Sequence, residues 1–375
     1  MRTEGATRLF PPRASGDRGP GTIDREAPFY NPAMALNRDL SVLLVEAFAR
    51  QRGREVDVAD ALAGAGARAA RLAHEVDAPL VVHANDADVA GIEALRRAGG
   101  ENGIPARRLV LREGAAHAFL AARRFDVVDI DPYGSPAPFL DAAVRATRHD
   151  GLVCVTATDT AALAGAYPRV CRRRYGAEHR LHGVAWRSEV GLRVLAAALV
   201  QAGGRHDRAV EPVLSVARGH WMRIVARVRD GRAAADRAVA GLGWAWADEA
   251  HLGRTGRAGD VPAGAPSAGP LWTGALHERG LVEAMAAAVP SHRLATDAAP
   301  LLAVLAEEAE APAFWADPGR LQGRFRAAAP RRSALIDALR AGGYRAARSH
   351  LDPQGVRTDA DEAALRDRWT FAAKP

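Results

Sequence analysis

Short apolar runs alternate with longer segments of helical period over residues 55–200, and this alternation predicts the core of the fold. Charged or small residues bound each run, and segments of mixed polarity separate one run from the next. Strands that alternate with helices in this way are typical of βαβ units and a mostly parallel sheet. The predicted strands lie in the segments EVDVAD, LVVHAND, RLVLRE, FDVVDI and GLVCVTA.

Two further patterns flank these strands. Asn31 is a good N-cap, Pro32 suits the first helical position and Gly53 suits a helix end, so a helix is predicted between them. Residues 1–28 show little periodicity, and we expect an arm with one short strand at most. Two apolar runs joined by ARGH within Ala209–Val228 predict an antiparallel hairpin after the parallel strands.

The composition changes after residue 230, which predicts two domains. Residues 1–230 are assigned to the arm and to an α/β domain with a doubly wound sheet. Residues 253–269 are rich in Gly, Pro and Ser, and we expect this stretch to be flexible. Residues 231–375 are predicted to form a smaller C-terminal α+β domain, with helices near 278–289, 298–309 and 331–341.

Composition and charge narrow the class of protein. The chain has 375 residues, of which 48% are hydrophobic, so it is globular and not disordered. The net charge of +7 favours a nucleic-acid partner, but only modestly: Lys374 is the single lysine, and a GC-rich genome also produces an arginine bias. The sequence implies no protein partner.

The expected location is the cytoplasm. No apolar run is long enough to cross a bilayer, and the first residues lack the apolar core of a secretory signal, so no membrane partner is expected. Cys154 and Cys171 are the two cysteines, which fits a reducing compartment. Two thiols are too few for a cysteine zinc site, and we expect no bound metal.

The candidate ligand-binding residues follow the predicted strands, where doubly wound sheets bind their ligands. Asp60 begins the small-residue loop DALAGAG after the first strand, and a ligand can approach the backbone of such a loop closely. Asp86 ends the second strand, where an acid accepts hydrogen bonds from the ribose hydroxyls of an adenosine cofactor. Both features have a purely structural alternative, because small loops also serve tight packing and Asp86 also suits a helix N-cap.

The segment Asp131-Pro132-Tyr133-Gly134 follows the fourth strand and combines an acid with an aromatic ring. A carboxylate at Asp131 can accept a hydrogen bond from the exocyclic amine of a base and orient that amine toward a methyl donor. Tyr133 offers a ring on which the base can stack. The alternative is a proline turn with Asp131 as a cap; the preceding strand and the two upstream loops favour the chemical interpretation.

At these residues the chain resembles the tRNA (guanine-26-N2)-dimethyltransferases. DIDPYGSPAPFLDAA is similar to the central motif of the family, which usually has Phe where Tyr133 stands. Four more segments resemble the family in the right order: FYNPAMALNRD, TATDTAALAGAYPRVCRRRYGA, GPLWTGALH and ALRAGGYRAARSHLDPQGVRTDA. The resemblance covers nearly the whole chain and implies a Rossmann-like, S-adenosylmethionine-dependent methyltransferase domain.

The resemblance also implies the ligands. It implies S-adenosyl-L-methionine as methyl donor and guanine N2 in tRNA as acceptor, with Arg38, Arg68 and Asp86 in contact with the cofactor. It implies a pocket for a flipped guanine lined by Phe29 and Tyr133, beside Asp131 as the catalytic residue.

The chain departs from the family at two places. After the third strand the family usually has Asp-Ala, and the matching residues here are Ala115 and Ala116, which would lie beside the adenine of the cofactor. Many archaeal-type members carry four zinc-binding cysteines before GPLW, and this chain has none there, so no structural zinc is expected. Arginines of the second domain suit contacts with tRNA phosphates, namely Arg331, Arg332, Arg340, Arg345, Arg348 and Arg357.

Two alternative functions stay open at this point. An amine-directed methyltransferase on another RNA base would use the same Asp-Pro-Tyr segment. A non-catalytic RNA-binding relative would have lost cofactor affinity, which the change at Ala115 makes conceivable, although Asp60, Asp86 and Asp131 are all retained.

Overall fold

The computed structural model of the chain describes residues 1–11 and 30–373. The strands in these residues, numbered in chain order, are β1 (Arg2–Glu4), β2 (Thr7–Leu9), β3 (Val56–Asp60), β4 (Leu80–Asp86), β5 (Leu109–Glu113), β6 (Phe125–Ile130), β7 (Thr147–Ala157), β8 (Glu178–His179), β9 (Arg208–Arg218), β10 (Trp221–Asp230), β11 (Leu242–Ala247), β12 (Gly253–Gly256), β13 (Ser267–Trp272), β14 (Ala346–Arg348) and β15 (Val356–Thr358).

The helices are numbered in the same way. They are α1 (Ala35–Arg52), α2 (Ala67–Glu75), α3 (Val89–Glu101), α4 (Ala116–Ala122), α5 (Leu140–Ala146), α6 (Thr160–Leu163), α7 (Pro168–Tyr175), α8 (Arg187–Gly204), α9 (Arg232–Ala240), α10 (Arg279–Ala288), α11 (Ala299–Glu308), α12 (Pro318–Phe325), α13 (Arg332–Ala341) and α14 (Glu362–Ala372). Among these helices none combines the length and the apolar character that crossing a membrane requires.

The central sheet has seven strands in the order β5-β4-β3-β6-β7-β10-β9. Strands β3 to β7 pair in parallel, as the alternating pattern predicted. The chain first moves outward from β3 to β5 and then returns to β6 on the other side of β3. The strand order therefore reverses between β3 and β6, and ligands of doubly wound sheets bind at such a reversal.

The predicted first helix is confirmed at both ends. Asn31 Oδ1 accepts a hydrogen bond of 2.9 Å from the backbone N–H of Ala33, and Pro32–Met34 form a single 3₁₀ turn that leads into α1. Gly53 follows α1 with φ of 61° and ends it. The helix is buried along most of its length, which fits its position beside the sheet rather than on the surface.

The N-terminal arm has more structure than expected, because β1 and β2 form an antiparallel hairpin. Glu4, Thr7 and Leu9 are buried, and Thr7 donates a hydrogen bond of 2.7 Å to Glu75 of α2. Each of these strands has only three residues, which is too short for an alternating pattern to be recognised in the sequence. The bond between Thr7 and Glu75 also joins residues 68 positions apart, which no local pattern can predict.

The chain packs as two compact units. The first contains Met1–Thr156, Ala226–Asp230 and Glu283–Leu302, and the second contains Ala157–Val225, Gly231–Val282 and Ala303–Pro375. The predicted boundary after residue 230 coincides with one point where the chain passes between units, but the chain passes at other points too. The late segment of the first unit is tied to α1: Asp39 accepts backbone hydrogen bonds of 3.1 and 2.8 Å from Ala295 and Thr296.

The second unit contains a four-stranded sheet with the order β12-β11-β13-β8. Strand β12 and the first three residues of β13 lie in the stretch that its Gly, Pro and Ser content predicted to be flexible. The small residues serve close packing instead: a Cβ atom on Gly269 would lie 2.5 Å from Cδ2 of Trp244. The predicted helices in this part of the chain are confirmed as α10, α11 and α13.

Arg357 forms the centre of a buried ion-pair network in the second unit. Only 3% of this residue is exposed, and its guanidinium lies 2.9 Å from Glu189 and 3.1 Å from Glu308. Glu189 is also paired with Arg193 at 2.8 Å. A residue this buried has no access to a tRNA phosphate, so the sequence-based role of Arg357 in phosphate contact is not supported.

Other arginines of the predicted set also have partners within the second unit. Arg345 pairs with Asp359 at 2.9 Å and Arg348 pairs with Glu307 at 2.6 Å. Arg340 donates to the carbonyl of Ala346 at 2.9 Å. These arginines therefore stabilise the C-terminal segment through contacts within the protein.

Three potential metal ligands converge in the same network: His277, Glu308 and His350. The backbone N–H of Ser215 donates to Nδ1 of His277 at 3.4 Å, and that of Ala217 donates to Nε2 of His350 at 3.3 Å. Each imidazole therefore carries its proton on the other nitrogen, which donates to Glu308 at 3.2 and 2.6 Å respectively. Burial also lowers the pKa of His277, which keeps its ring neutral.

This hydrogen-bond pattern is the reverse of the one that a metal site needs. A histidine that binds a metal presents a bare nitrogen to the ion and donates its other N–H to a carbonyl or carboxylate. Here the outer nitrogens accept from backbone N–H groups, and the inner nitrogens donate to Glu308. The cluster is a closed hydrogen-bond network.

We predict that metal analysis of the purified protein will find well below one zinc per chain. The physical reason is that both histidines use the nitrogen facing Glu308 to donate a hydrogen bond, so neither offers a free lone pair there. The chain also lacks the thiolates of a cysteine site. The measurement is elemental analysis after dialysis against a chelator. One zinc per chain that survives dialysis and disappears in His350→Ala would contradict the prediction.

We predict that Arg357→Leu will lower the free energy of unfolding by about 3–5 kcal/mol, because it removes the cation that the buried Glu189 and Glu308 share. The matched control is Arg345→Leu, which breaks an exposed ion pair and is expected to cost less than about 1 kcal/mol. Urea denaturation of both variants measures the difference. Equal losses of unfolding free energy in the two variants would show that burial does not determine how much these ion pairs stabilise the protein.

Candidate active site

Four carboxylates lie together at the carboxyl edge of the parallel strands in the first unit. Asp60 ends β3, Asp86 ends β4, Asp129 lies near the end of β6 and Asp131 follows that strand. Asp60 and Asp129 are register partners across β3 and β6. The edge therefore concentrates negative charge at the point where the strand order reverses, which is the predicted position of the site.

Arg68 supplies the buried positive charge at this edge. Its Nη2 donates to Oδ2 of Asp131, its Nε lies 3.5 Å from Oδ1 of Asp129, and its Nη1 donates to Oδ1 of Asn37 at 2.9 Å. Burial alone would lower the pKa of Arg68, but the charges of Asp129 and Asp131 outweigh it and raise the pKa above the ordinary value. Arg68 is therefore a permanent cation between the acids. Its predicted contact with a cofactor stays a prediction.

Asp131 has one committed and one available carboxylate oxygen. Oδ2 is held by Arg68, while no donor among the described residues contacts Oδ1. The side chain is 20% exposed, so it opens to the surface of the first unit. Such a carboxylate is held in one orientation by its paired oxygen and can accept a hydrogen bond from a ligand with the other.

Tyr133 lies at the mouth of the same edge, and 55% of it is exposed. Burial of the hydroxyl and the charges of Asp86 and Asp88 raise the pKa of Tyr133 to about 12, so the phenol is neutral at physiological pH. A neutral, accessible ring is suited to stacking against a base. Phe29, the second predicted wall of the base pocket, lies outside the described residues.

Asp60 is almost completely buried, and its Oδ2 has no hydrogen-bond partner among the described residues. Burial is the largest cause that raises the pKa of Asp60 to about 7, and Asp129, Asp131 and Asp86 add to it against the opposing charge of Arg68. A buried acceptor without a donor is costly unless a ligand completes it. Asp60 therefore fits a ligand that brings an N–H donor and a positive charge, which describes the methionine end of S-adenosylmethionine.

Asp86 is not the helix cap that the sequence left as an alternative. Asp88 caps α3 by accepting from the backbone N–H of Ala90 at 3.0 Å. Asp86 instead accepts from the backbone N–H of Gly64 at 2.7 Å and of Asp88 at 2.9 Å. Two of its lone pairs are used in this way, which orients the carboxylate and leaves the others for ligand hydroxyls.

The loops around Asp60 and Asp86 are held by backbone and amide contacts. Asn85 Nδ2 donates to the carbonyls of Ala61 at 3.2 Å and Gly114 at 2.9 Å, which links the loops after β3 and β5. Gly66 has φ of 76°, and a Cβ atom there would lie 2.5 Å from Cβ of Leu95, so glycine is required. The sequence indicated the small-residue loop, but it did not indicate Asn85 as its support.

Ala115 and Ala116, the predicted adenine-side residues, lie at the start of α4 directly after β5. Ala115 is exposed and Ala116 is buried. The preceding Gly114 donates its N–H to the carbonyl of Asp86 at 3.0 Å. These residues are thus placed beside Asp86 by the backbone, while their contact with a cofactor stays a prediction.

Arg38 has its own carboxylate partner in the N-terminal hairpin. Its Nε and Nη2 donate to the two oxygens of Glu4 at 2.6 Å each, and its guanidinium carbon lies 5.0 Å from the centre of the Tyr30 ring. Burial raises the pKa of Glu4, but the hydrogen bonds and charge of Arg38 outweigh this and lower it to about 2. The sequence did not indicate Glu4, and the predicted cofactor contact of Arg38 stays a prediction.

Comparison with known proteins shows the family of this chain. Residues 17–369 match the model of a family described as N2,N2-dimethylguanosine tRNA methyltransferase. Trm1 from Pyrococcus horikoshii, solved in complex with S-adenosyl-L-methionine, has a TM-score of 0.84 and 28% identity, and the match covers 98% of both chains.

Two curated relatives are similar along most of their length. The tRNA (guanine(26)-N(2))-dimethyltransferase of Methanothermobacter thermautotrophicus is 35% identical over 356 residues, which are 90% of this chain and 91% of the relative. The enzyme of the same name from Methanoculleus marisnigri is 35% identical over 373 residues, with 96% and 95% covered. With a carboxylate-rich strand edge of the expected kind and matches of this extent, the chain belongs to the N2,N2-dimethylguanosine tRNA methyltransferase family.

Proposed function

We propose that this protein transfers one or two methyl groups from S-adenosyl-L-methionine to the exocyclic N2 of guanine 26 in tRNA. The observation that carries the proposal is Asp131, which lies at the strand reversal with one oxygen held by Arg68 and the other without a protein donor. The accessible ring of Tyr133 stands two residues away. The curated relatives carry the name of this activity over 90% or more of the chain.

The chain's own residues provide a matching cofactor site. When bound, S-adenosylmethionine supplies a methyl group on a positively charged sulfur. Asp60 receives the cationic methionine end with its unpartnered Oδ2. Asp86 accepts hydrogen bonds from the ribose hydroxyls, and the loop from Gly64 to Gly66 lets the ligand lie against the backbone.

Asp131 acts on the guanine amine. The N2 lone pair is delocalised into the purine ring, so the amine is a weak nucleophile. Asp131 Oδ1 accepts a hydrogen bond from N2–H, which turns the amine toward the methyl donor, and the carboxylate takes up the proton that N2 loses. Arg68 keeps Oδ2 in place during this exchange. Tyr133 stacks on the base after it leaves the tRNA helix.

The assay that tests the function uses labelled S-adenosylmethionine and an unmodified tRNA transcript. We expect label in N2-methylated guanosine, and no label in a transcript with adenine at position 26. Label on another base would instead support an amine-directed methyltransferase of different substrate. Binding of tRNA without any transfer would support a non-catalytic relative.

We also propose that the protein acts in the cytoplasm, without a bound metal or a protein partner. Cys154 and Cys171 lie within the described residues, are buried and form no disulfide, which suits a reducing compartment.

We predict that Asp131→Asn will lower the rate of methyl transfer by about 10²- to 10⁴-fold, because the amide cannot accept the proton that N2 releases. Affinity for S-adenosylhomocysteine should stay unchanged. The matched control is Asp88→Asn, which makes the same chemical change on the same edge and preserves the α3 cap. Single-turnover rates and calorimetry provide the two readouts. A near-normal rate in Asp131→Asn would remove the catalytic role of Asp131.

We predict that cofactor affinity falls as the pH is lowered from about 8 to about 6, by at most tenfold per pH unit. The pKa of Asp60 is about 7, so the carboxyl is neutral below that pH, and a cationic ligand must displace its proton to bind. Titration with S-adenosylhomocysteine, whose ammonium group stays charged in this range, measures the effect. Asp60→Asn should remove the pH dependence and Asp88→Asn should keep it; the same pH profile in both variants would contradict the assignment.

A further inference from the structure

The second unit contains a groove of about 440 Å³ that the proposed chemistry does not use. It lies at the start of α8, beside α6 and the turn between β9 and β10. We call it the basic groove and define it by its polar lining residues, Thr160, His182, Arg187, Ser188 and Arg218. Trp221 and Met222 contribute an apolar wall.

The charge of the basic groove is not compensated within the described chain. No acidic residue lines it. Arg187 and Arg218 are both exposed, and neither forms an ion pair with any residue of 1–11 or 30–373. Some exposed arginines elsewhere in the second unit are paired with acids, as Arg324 is with Glu362 at 2.6 Å.

The position of Arg187 in its helix is electrostatically unfavourable. Arg187 is the first residue of α8, which has 18 residues and no side-chain cap at its N-terminus. The N-terminus of a helix carries a partial positive charge, so a cation there is repelled and an anion is attracted. Glu189, the acid in the first turn of α8, is buried and paired with Arg193 and Arg357. The uncapped start of α8 and two unpaired arginines thus share one groove, and a bound anion would pair with both arginines.

An accessible aromatic ring lies next to the groove in the chain. Ala166 lines the groove, and the following residue, Tyr167, is 60% exposed. Basic grooves with an adjoining aromatic side chain are typical of surfaces that bind the backbone of a nucleic acid and stack one of its bases. The combination fits an RNA strand better than an isolated small anion.

We infer that the basic groove binds backbone phosphates of the tRNA substrate, with Arg187 and Arg218 as the phosphate-binding side chains. This inference rests on the proposed function and adds a contact surface that lies outside the catalytic residues. It differs from the sequence-based expectation, which assigned phosphate contact to six arginines of the C-terminal segment. Five of these six form hydrogen bonds or ion pairs within the second unit.

The test is the double substitution Arg187→Gln/Arg218→Gln, with binding of an unmodified tRNA transcript measured at several salt concentrations. We expect the dissociation constant to rise on the order of tenfold or more, and the slope of log K against log salt to fall by about 1.5, because two phosphate contacts are lost. The matched control is Arg107→Gln/Arg237→Gln, which removes two exposed arginines that form no ion pair with described residues.

Steady-state kinetics separate binding from chemistry. The groove variant should show a higher KM for tRNA with an unchanged kcat, as expected for a contact made equally in the ground and transition states. Its affinity for S-adenosylhomocysteine and its melting temperature should match those of the wild type. A lower kcat at unchanged KM, or equal losses of affinity in groove and control variants, would overturn the inference.

A second measurement on the wild type is independent of the variants. Bound tRNA should protect Arg187 and Arg218 from phenylglyoxal, read by mass spectrometry, while Arg107 stays reactive. Normal methylation by the wild type with no protection and no loss of affinity would overturn the groove and leave the proposed function intact. A wild type that neither binds nor methylates tRNA would overturn both.

Discussion

The carboxylate-rich strand edge of the candidate active site depends on one buried cation. Asp60, Asp86, Asp129 and Asp131 meet where the strand order reverses, and like charges so close together destabilise each other. Arg68 offsets part of this repulsion and pairs with Asp129 and Asp131. Burial, to which the neighbouring acids add, still raises the pKa of Asp60 to about 7 despite the charge of Arg68. The edge is therefore prepared for a cationic ligand, and the family's cofactor, with its sulfonium and ammonium groups, has the matching charge.

The N-terminal hairpin helps to fix the position of Arg68. Glu4 pairs with Arg38 of α1 at 2.6 Å and with Arg71 of α2 at 3.0 Å, so one carboxylate links the two helices. Helix α1 also carries Asn37, which binds Arg68 of α2. The orientation of Arg68, and through it that of Asp131, thus depends on a network that includes Glu4 of β1.

Arginine content alone says little about where the protein contacts RNA. Arg357 and Arg193 are paired with buried carboxylates in the second unit, and Arg345 and Arg348 with carboxylates that are at least partly exposed. Arg187 and Arg218 lack such partners and line one groove with no acidic residue. Pairing therefore separates the arginines with a structural role from those that we propose to bind RNA, because a guanidinium already bound to a carboxylate gains little from a phosphate.

The sequence by itself determined the elements and the acidic residues at their ends. Strand period, the Asn31 N-cap and the position of Asp131 after an apolar strand all depend on neighbouring residues, and these were predicted correctly, as was the family. Only the tertiary structure decided the ion pairs. In the folded protein Arg68 pairs with Asp131, 63 positions away, and Asp88 rather than Asp86 caps α3. Arg357 is buried, and strands form in a glycine-rich stretch. The reason is physical: local periodicity specifies secondary structure, whereas the partner of a charged side chain depends on which distant residues the fold brings within about 4 Å of it.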